Sequence, residues 1–134
     1  MRTLVGWDSE SEADLLQLYL TIGGNEARTC TNANELLAVA AQDRWDIVLL
    51  SQTFPTTEDS FAAFTQLTQL LPDVPVVLAC RMSEMMALPK FLTHGLRSYI
   101  IRDERGDFIF LILSSLESTV EAVKAERTRK LADR

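Results

Sequence analysis

Asp46-Ile47-Val48-Leu49-Leu50-Ser51-Gln52-Thr53-Phe54-Pro55 is the stretch whose reading decides the fold. Ile47 to Leu50 are apolar without a break, where a strand wetted on one face would alternate. A parallel strand covered on both faces reads this way, and the run stops at the hydroxyl of Ser51. Val74 to Ala79 repeats the pattern behind Pro72-Asp73, while Thr3 to Trp7 and Tyr99-Ile100-Ile101 are shorter versions of it. Ala27 to Cys30 is the weakest strand candidate.

Helical spacing fills the intervals. Leu15, Leu16, Leu18, Tyr19 and Leu20 follow the acids Glu10, Glu12 and Asp14, which suit the positive end of a helix dipole, and Gly23-Gly24 ends the segment. Thr31-Asn32 can cap a helix from Asn34 to Gln42 with Leu36, Leu37 and Val39 inward. Phe61, Phe64, Leu67, Leu70 and Leu71 form the next stripe. Pro89 interrupts Ser83 to His94, so the first turns there are expected to be loop or kinked, and Gly95 closes the segment. From Asp107 a long helix carries Ile109, Ile112, Leu113, Leu116, Val120 and Val123 on its apolar side and runs to about Leu131. Five strands alternating with five helices predict an α/β, doubly wound parallel sheet. Its ligand crevice lies outside the C-terminal ends of the strands, where Asp8, Ser51, Cys80 and Arg102 should converge.

Composition narrows the function classes. The 134 residues suit one domain, and 47% hydrophobic against 24% charged residues is enough to bury a core without disulfides or metal. A net charge of −6 argues against a nucleic-acid binder or a partner of anionic membranes. Residues 121 to 134 carry five bases and three acids, so the tail is mildly basic on an otherwise acidic chain. No stretch approaches the ~20 apolar residues of a membrane span and Met1-Arg2-Thr3 leads straight into a strand, so a cytoplasmic protein is expected. Cys30 and Cys80 have no Cys or His at metal-ligand spacing and are expected to be reduced packing residues.

Over residues 2 to 122 these frames resemble the receiver domain of two-component response regulators. The resemblance implies a flavodoxin/CheY-like (βα)5 fold with strand order 2-1-3-4-5, and places the family's phosphoacceptor Asp, four residues before a Pro, at Ser51. The family's adjacent acidic pair after the first strand falls on Trp7 and Asp8, its Thr or Ser at the end of the fourth strand on Cys80, and its Lys seven residues beyond a Gly on Arg102. The Pro that usually follows is Asp103, and the aromatic switch position is Tyr99. By this resemblance the site keeps one of three acids. Mg²⁺, held by carboxylates and phosphate oxygens, is therefore not expected, and no metal or cofactor is.

Each altered position has a structural reading. Trp7 fills a vacated polar pocket; Asp8 caps the following helix or pairs with Arg102; Cys80 is buried, or redox-sensitive if exposed beside Arg102. Ser51 has no positioned base, since His94, the single histidine, lies at the opposite end of the fifth strand. Met82, Met85 and Met86 fill gaps or line an adaptable surface. The last helix continues past the usual family length, so residues 1 to 122 form the receiver-like domain and 123 to 134 an extension. That extension reads as a linker to a C-terminal output domain or, through the seam Leu116, Val120, Val123 and Leu131, as a homodimeric coil, and if ordered it should be covered by a partner surface.

The expected function is a phosphorylation-independent pseudo-receiver, not an enzyme, that docks a protein partner through its fourth helix, fifth strand and fifth helix. Tyr99, Phe108, Ile109, Ile112 and the exposed side of Leu116 to Val123 are its candidate interface. The alternative is a small-molecule or redox sensor using the altered pocket around Trp7, Ser51, Cys80 and Arg102, which Asp8 would close to anions by neutralising Arg102. An enzyme on this fold ranks last, for want of a Gly-rich phosphate loop, a catalytic His pair or a carboxylate dyad.

Overall fold

The computed structural model describes residues 1–132. Five parallel strands, β1 (Arg2–Gly6), β2 (Glu26–Cys30), β3 (Ile47–Ser51), β4 (Val76–Cys80) and β5 (Ser98–Ile101), pair in the order β2-β1-β3-β4-β5. Helices α1 (Glu10–Leu20), α2 (Ala33–Gln42), α3 (Thr57–Leu70), α4 (Leu88–Thr93) and α5 (Phe108–Ala132) connect or follow them. The expected fold class and strand order are those observed. Register aligns Gly6 with Cys30 and Leu50, Ser51 with Ala79, and Cys80 with Ile101, so the strands end along one edge. Strand order reverses between β1 and β3, which opens the crevice there.

Both faces are covered, which is why β3 and β4 are buried at every residue. Leu4, Leu50 and Leu78 point into the core under α2, α3 and α4 with Leu36, Phe64 and Phe91. Val5, Leu49 and Val77 point the other way, against Leu16 and Leu20 of α1 and Ile112 and Leu116 of α5. Gly6 permits the closest approach: a Cβ there would meet Leu36 Cδ2 at 2.9 Å and Leu50 Cδ1 at 3.0 Å.

Boundaries differ from expectation where backbone geometry outweighs hydrophobicity. β1 stops at Gly6, leaving Trp7 in the loop, and β4 starts at Val76 because Val74 closes a turn onto Leu71 O. α1 ends at Leu20, and a 3₁₀ turn over Ile22–Gly24 carries the left-handed glycines Gly23 and Gly24. Asn32 caps α2 as expected, accepting from Glu35 N at 2.8 Å. Leu70, expected inward, is exposed at the end of α3. The interrupted segment resolves into a 3₁₀ stretch, Met82–Ala87, followed by α4 with Pro89 in its first turn.

The long last helix is held by its own domain. Arg97 forks onto Glu126 at 2.7 and 3.1 Å, and the Arg127 guanidinium donates to Asp73 O. These two contacts tie the extension to its own domain, while most of residues 124–132 stay exposed. Leu116 and Val120 are buried against the sheet and Val123 is half-buried, so the expected coil seam is already used; only Leu131 of that set is exposed. Residues 133 and 134 of the extension lie outside the described residues. Among the described residues no helix is long and apolar enough to cross a membrane.

Gly6→Ala should lower stability by about 1–3 kcal/mol, the cost of overpacking a well-filled site, read from urea unfolding. An unchanged midpoint would mean that Leu36 and Leu50 yield freely.

Candidate functional site

Three chain segments meet at the C-terminal edge of the sheet: the loop after β1, the tip of β3 and the residue following β5. Trp7 N donates to Cys30 O (3.0 Å) and Arg102 N to Cys80 O (2.8 Å), so backbone bonds extend the sheet by one residue at each place. These bonds direct Trp7 and Arg102 into the crevice above Ser51.

Arg102 organises what gathers there. Its guanidinium, 4% exposed, forks onto Asp8 with Nη2–Oδ1 2.8 Å and Nη1–Oδ2 3.1 Å, and Nη2 also donates to Glu12 Oε1. Nη1 donates to Ser51 Oγ at 3.1 Å. The guanidinium carbon lies 4.3 Å from the Trp7 ring centroid, a cation–π contact worth up to about 2 kcal/mol when desolvated. Trp7 Nε1 donates to Glu12 Oε1 at 3.1 Å, and Phe108 stacks on the indole with centroids 5.8 Å apart. Thr53 Oγ1 donates to Asp8 Oδ2 at 2.6 Å, and Ser51 Oγ donates to Thr53 O at 3.0 Å. The hydroxyls of Ser51 and Thr53 and the Asp8 carboxylate are thereby engaged within the chain.

The charges hold one another. Burial opposes the Asp8 carboxylate, but hydrogen bonds from Arg102 and Thr53 and the Arg102 charge outweigh it and keep the group below the usual aspartate range. Burial also opposes the Arg102 cation, and the bonds to Asp8 and Glu12 reverse that, raising its affinity for the proton. A fixed planar fork suits this role in a way an ammonium does not.

Four residues were expected together at this edge: Trp7, Asp8, Cys80 and Arg102. Trp7, Asp8 and Arg102 come together with Ser51; Cys80 does not join the polar cluster. Its side chain points into the opposite core, with Sγ 3.7 Å from Met85 Sδ and 3.6 Å from Ile100 O. Burial, with Glu84 nearby, pushes the Cys80 thiol up to about 11, and burial first, with Glu35, does the same for Cys30. Met82 and Met86 are exposed, whereas Met85 packs on Cys80.

Glu12 escaped the sequence reading, which took Asp8 as the single acid of the site. Its signal was position: Glu12 stands in the first turn of α1, directly after the loop that carries Asp8, so it starts its helix at the same edge of the sheet. Asp103 was read as a lost Pro; its carboxylate accepts from Phe108 N (2.8 Å) and Asp107 N (3.1 Å), anchors the start of α5, and is held below the ordinary range by the Phe108 bond above all.

The expected interface is corrected. Ile109, Ile112, Leu116 and Val120 are buried core, and Phe108 is half-buried under Trp7, because the apolar stripe of α5 faces its own sheet. Tyr99 remains exposed on β5, beside a shallow groove lined by Ser114, Ser115, Ser118 and Thr119, and Leu111 is exposed nearby on α5.

Neither a protein-family model nor a curated protein matches the chain. Solved structures do. NtrX from Brucella abortus superposes with a TM-score of 0.82 at 22% identity over 96% of this chain, which spans 29% of that protein. A CheY-like response regulator receiver domain protein from Methanospirillum hungatei matches with a TM-score of 0.80 at 17% identity, covering 93% of this chain and 97% of that one. A member of a family of redox sensors in the streptococci, evolved from two-component response regulators, matches with a TM-score of 0.75 at 16% identity, over 98% of this chain and 53% of that one. At these identities the likeness is one of fold, and the fold is that of response regulator receiver domains.

Arg102→Met should cost about 3 kcal/mol in urea unfolding, because it strands two carboxylates, and adding Asp8→Asn and Glu12→Gln should recover part of that loss. The Asp8 contribution is complete above its unfolded value of about 3.9 and is lost as pH falls through the lower folded value, so Asp8→Asn should flatten the acid limb of stability. A parallel acid limb in the variant would contradict the ion pair.

Proposed function

We propose that this chain is a phosphorylation-independent receiver module, non-catalytic, that acts by protein contact in a two-component-type pathway. One observation carries the reading: Ser51, at the tip of β3, is fully buried, and its hydroxyl is committed to Arg102 and Thr53. A neutral hydroxyl without a base is a poor acceptor, and a buried one is closed to an external kinase.

A divalent cation does not fit this donor set. Asp8 and Glu12 are both turned onto the guanidinium of Arg102, so a metal would have to displace a buried cation already neutralised in place. Hard cations need several free oxygens, and among the described residues no group of three or more His, Cys, Asp or Glu side chains is arranged to hold one. The chain's own Arg102 supplies the positive charge. What remains available for partners is outer surface, including Tyr99 and Leu111 on the β5–α5 side.

The sensor alternative has less support. An anion site needs an unpaired guanidinium, and Arg102 is paired twice. A redox site in the manner of the streptococcal proteins needs an accessible thiolate, whereas Cys80 is buried and its thiol is pushed up to about 11.

Mg²⁺ with acetyl phosphate or beryllium fluoride should leave the intrinsic Trp fluorescence unchanged and add no phosphoryl mass. Saturable Mg²⁺-dependent quenching, or a phosphorylated chain, overturns the proposal. Ellman's reagent should label neither cysteine in native protein and both in urea; rapid native labelling would restore the redox reading.

A further inference from the structure

Three methionines, Met82, Met85 and Met86, fall within five residues on the 3₁₀ stretch between β4 and α4, and the crevice uses none of them. Met82 is 70% and Met86 95% exposed, so neither fills a gap in the core. Met85 is half-buried against the cluster under α3 and α4, with its Sδ 3.7 Å from Cys80 Sγ. Cys80 is 1% exposed, so this thioether is part of what covers the thiol.

The stretch that carries them is weakly held. Six residues is long for a 3₁₀ helix, whose hydrogen bonds are poorer than those of an α-helix. Arg81 and Glu84 pair at 3.7 Å with both side chains partly in water, a contact of small worth. Gln52 Nε2 donates to Glu84 O at 2.7 Å, while Gln52 Oε1 is buried without a partner among the described residues, so this tether leaves part of its own amide unsatisfied. Thiols and thioethers also answer oxidants differently. A thiol reacts as its thiolate, which burial opposes at Cys80, whereas a thioether has no proton to lose and reacts wherever a peroxide reaches it.

We propose that the Met82–Met86 cluster is an oxidation site for peroxides in which Met85 is the gate: turning its thioether into the sulfoxide uncovers Cys80. A lone pair of Met85 Sδ attacks the nearer oxygen of hydrogen peroxide. The S–O bond forms as the O–O bond breaks, and the departing hydroxide takes the proton of the transferred hydroxyl to become water. Sulfur loses two electrons and the peroxide gains them. Met82 and Met86 undergo the same reaction first, and because they lie outside the core their oxidation leaves the packing unchanged. The Met85 sulfoxide oxygen, by contrast, is a polar group that costs free energy when left in an apolar cluster. The oxidised side chain turns outward, the 3₁₀ stretch opens, and Cys80 loses its cover. Nothing in this chemistry depends on how Ser51 and Arg102 are read.

Hydrogen peroxide added to the whole chain, removed with catalase and followed by Ellman's reagent and peptide mass spectrometry, reads each step. Met82 and Met86 should gain an oxygen first and Met85 after them. Labelling of Cys80 should then quicken about tenfold or more, in step with Met85 conversion, while Cys30 stays protected because the opening is local. Met85→Leu, a swap that keeps the packing volume, should abolish the peroxide effect on Cys80. Met82→Leu with Met86→Leu should leave that effect in place. The proposal is overturned if Met85 stays reduced when Met82 and Met86 are fully converted, or if Cys80 remains protected after Met85 is oxidised. It is equally overturned if Cys80 is oxidised before Met85, if Cys30 is uncovered together with Cys80, or if Met85→Leu responds as the wild type does.

Discussion

A buried guanidinium cannot be left without counter-charge, and Arg102 sets the terms for the whole C-terminal edge of the sheet. Moving a cation out of water costs several kcal/mol, recovered only if every donor finds a good acceptor. Here Asp8, Glu12 and Ser51 supply acceptors and Trp7 supplies a π face. These groups come from the loop after β1, from α1, from the tip of β3 and from the residue after β5, so the ion cluster works as a clasp across the switch point of the sheet. Trp7 in turn stacks on Phe108, which carries the constraint to the start of α5.

A cluster of carboxylates around a crevice must be offset by a cation, whether one bound from solution or one supplied by the chain. In this chain the neutralising cation is part of the polypeptide, and the side chain at the tip of the central strand is uncharged. Two carboxylates share one guanidinium there, so the cluster keeps a single net negative charge, and both acids are already engaged. Outside the crevice, Leu15, Leu18 and Ile22 on the α1 side and Phe110 and Leu111 on α5 are large apolar side chains left exposed.

How far the sequence could be read followed the range of each interaction. Ile47–Leu50 announced a strand covered on both faces because burial on both faces removes alternation from the sequence itself. Local chemistry was also legible: Asn32 as a cap, Gly23-Gly24 as a stop, Pro89 as an interruption. Edges were missed where hydrogen bonding overrode apolarity, as when Val74 entered a turn instead of β4. The stripe of α5 was read correctly as apolar and wrongly as interface, because periodicity shows that a face is buried without showing what buries it. Cys80 was assigned to the crevice by its place at a strand end, and strand alternation turned its side chain to the other face.

The sequence by itself determined the element order, the parallel sheet, the long final helix and the meeting of Asp8, Ser51 and Arg102, since all of these follow from hydrophobic period and from strands ending along one edge. Tertiary structure decided the rest: that Glu12 joins Asp8 on Arg102, that the indole of Trp7 covers the pair, that Arg97 and Asp73 secure the end of α5, and which apolar side chains stay outside. The physical reason is that periodicity is a property of neighbours along the chain, whereas ion-pair geometry and burial depend on groups as far apart as residues 8 and 102, which only the completed sheet brings within hydrogen-bond distance.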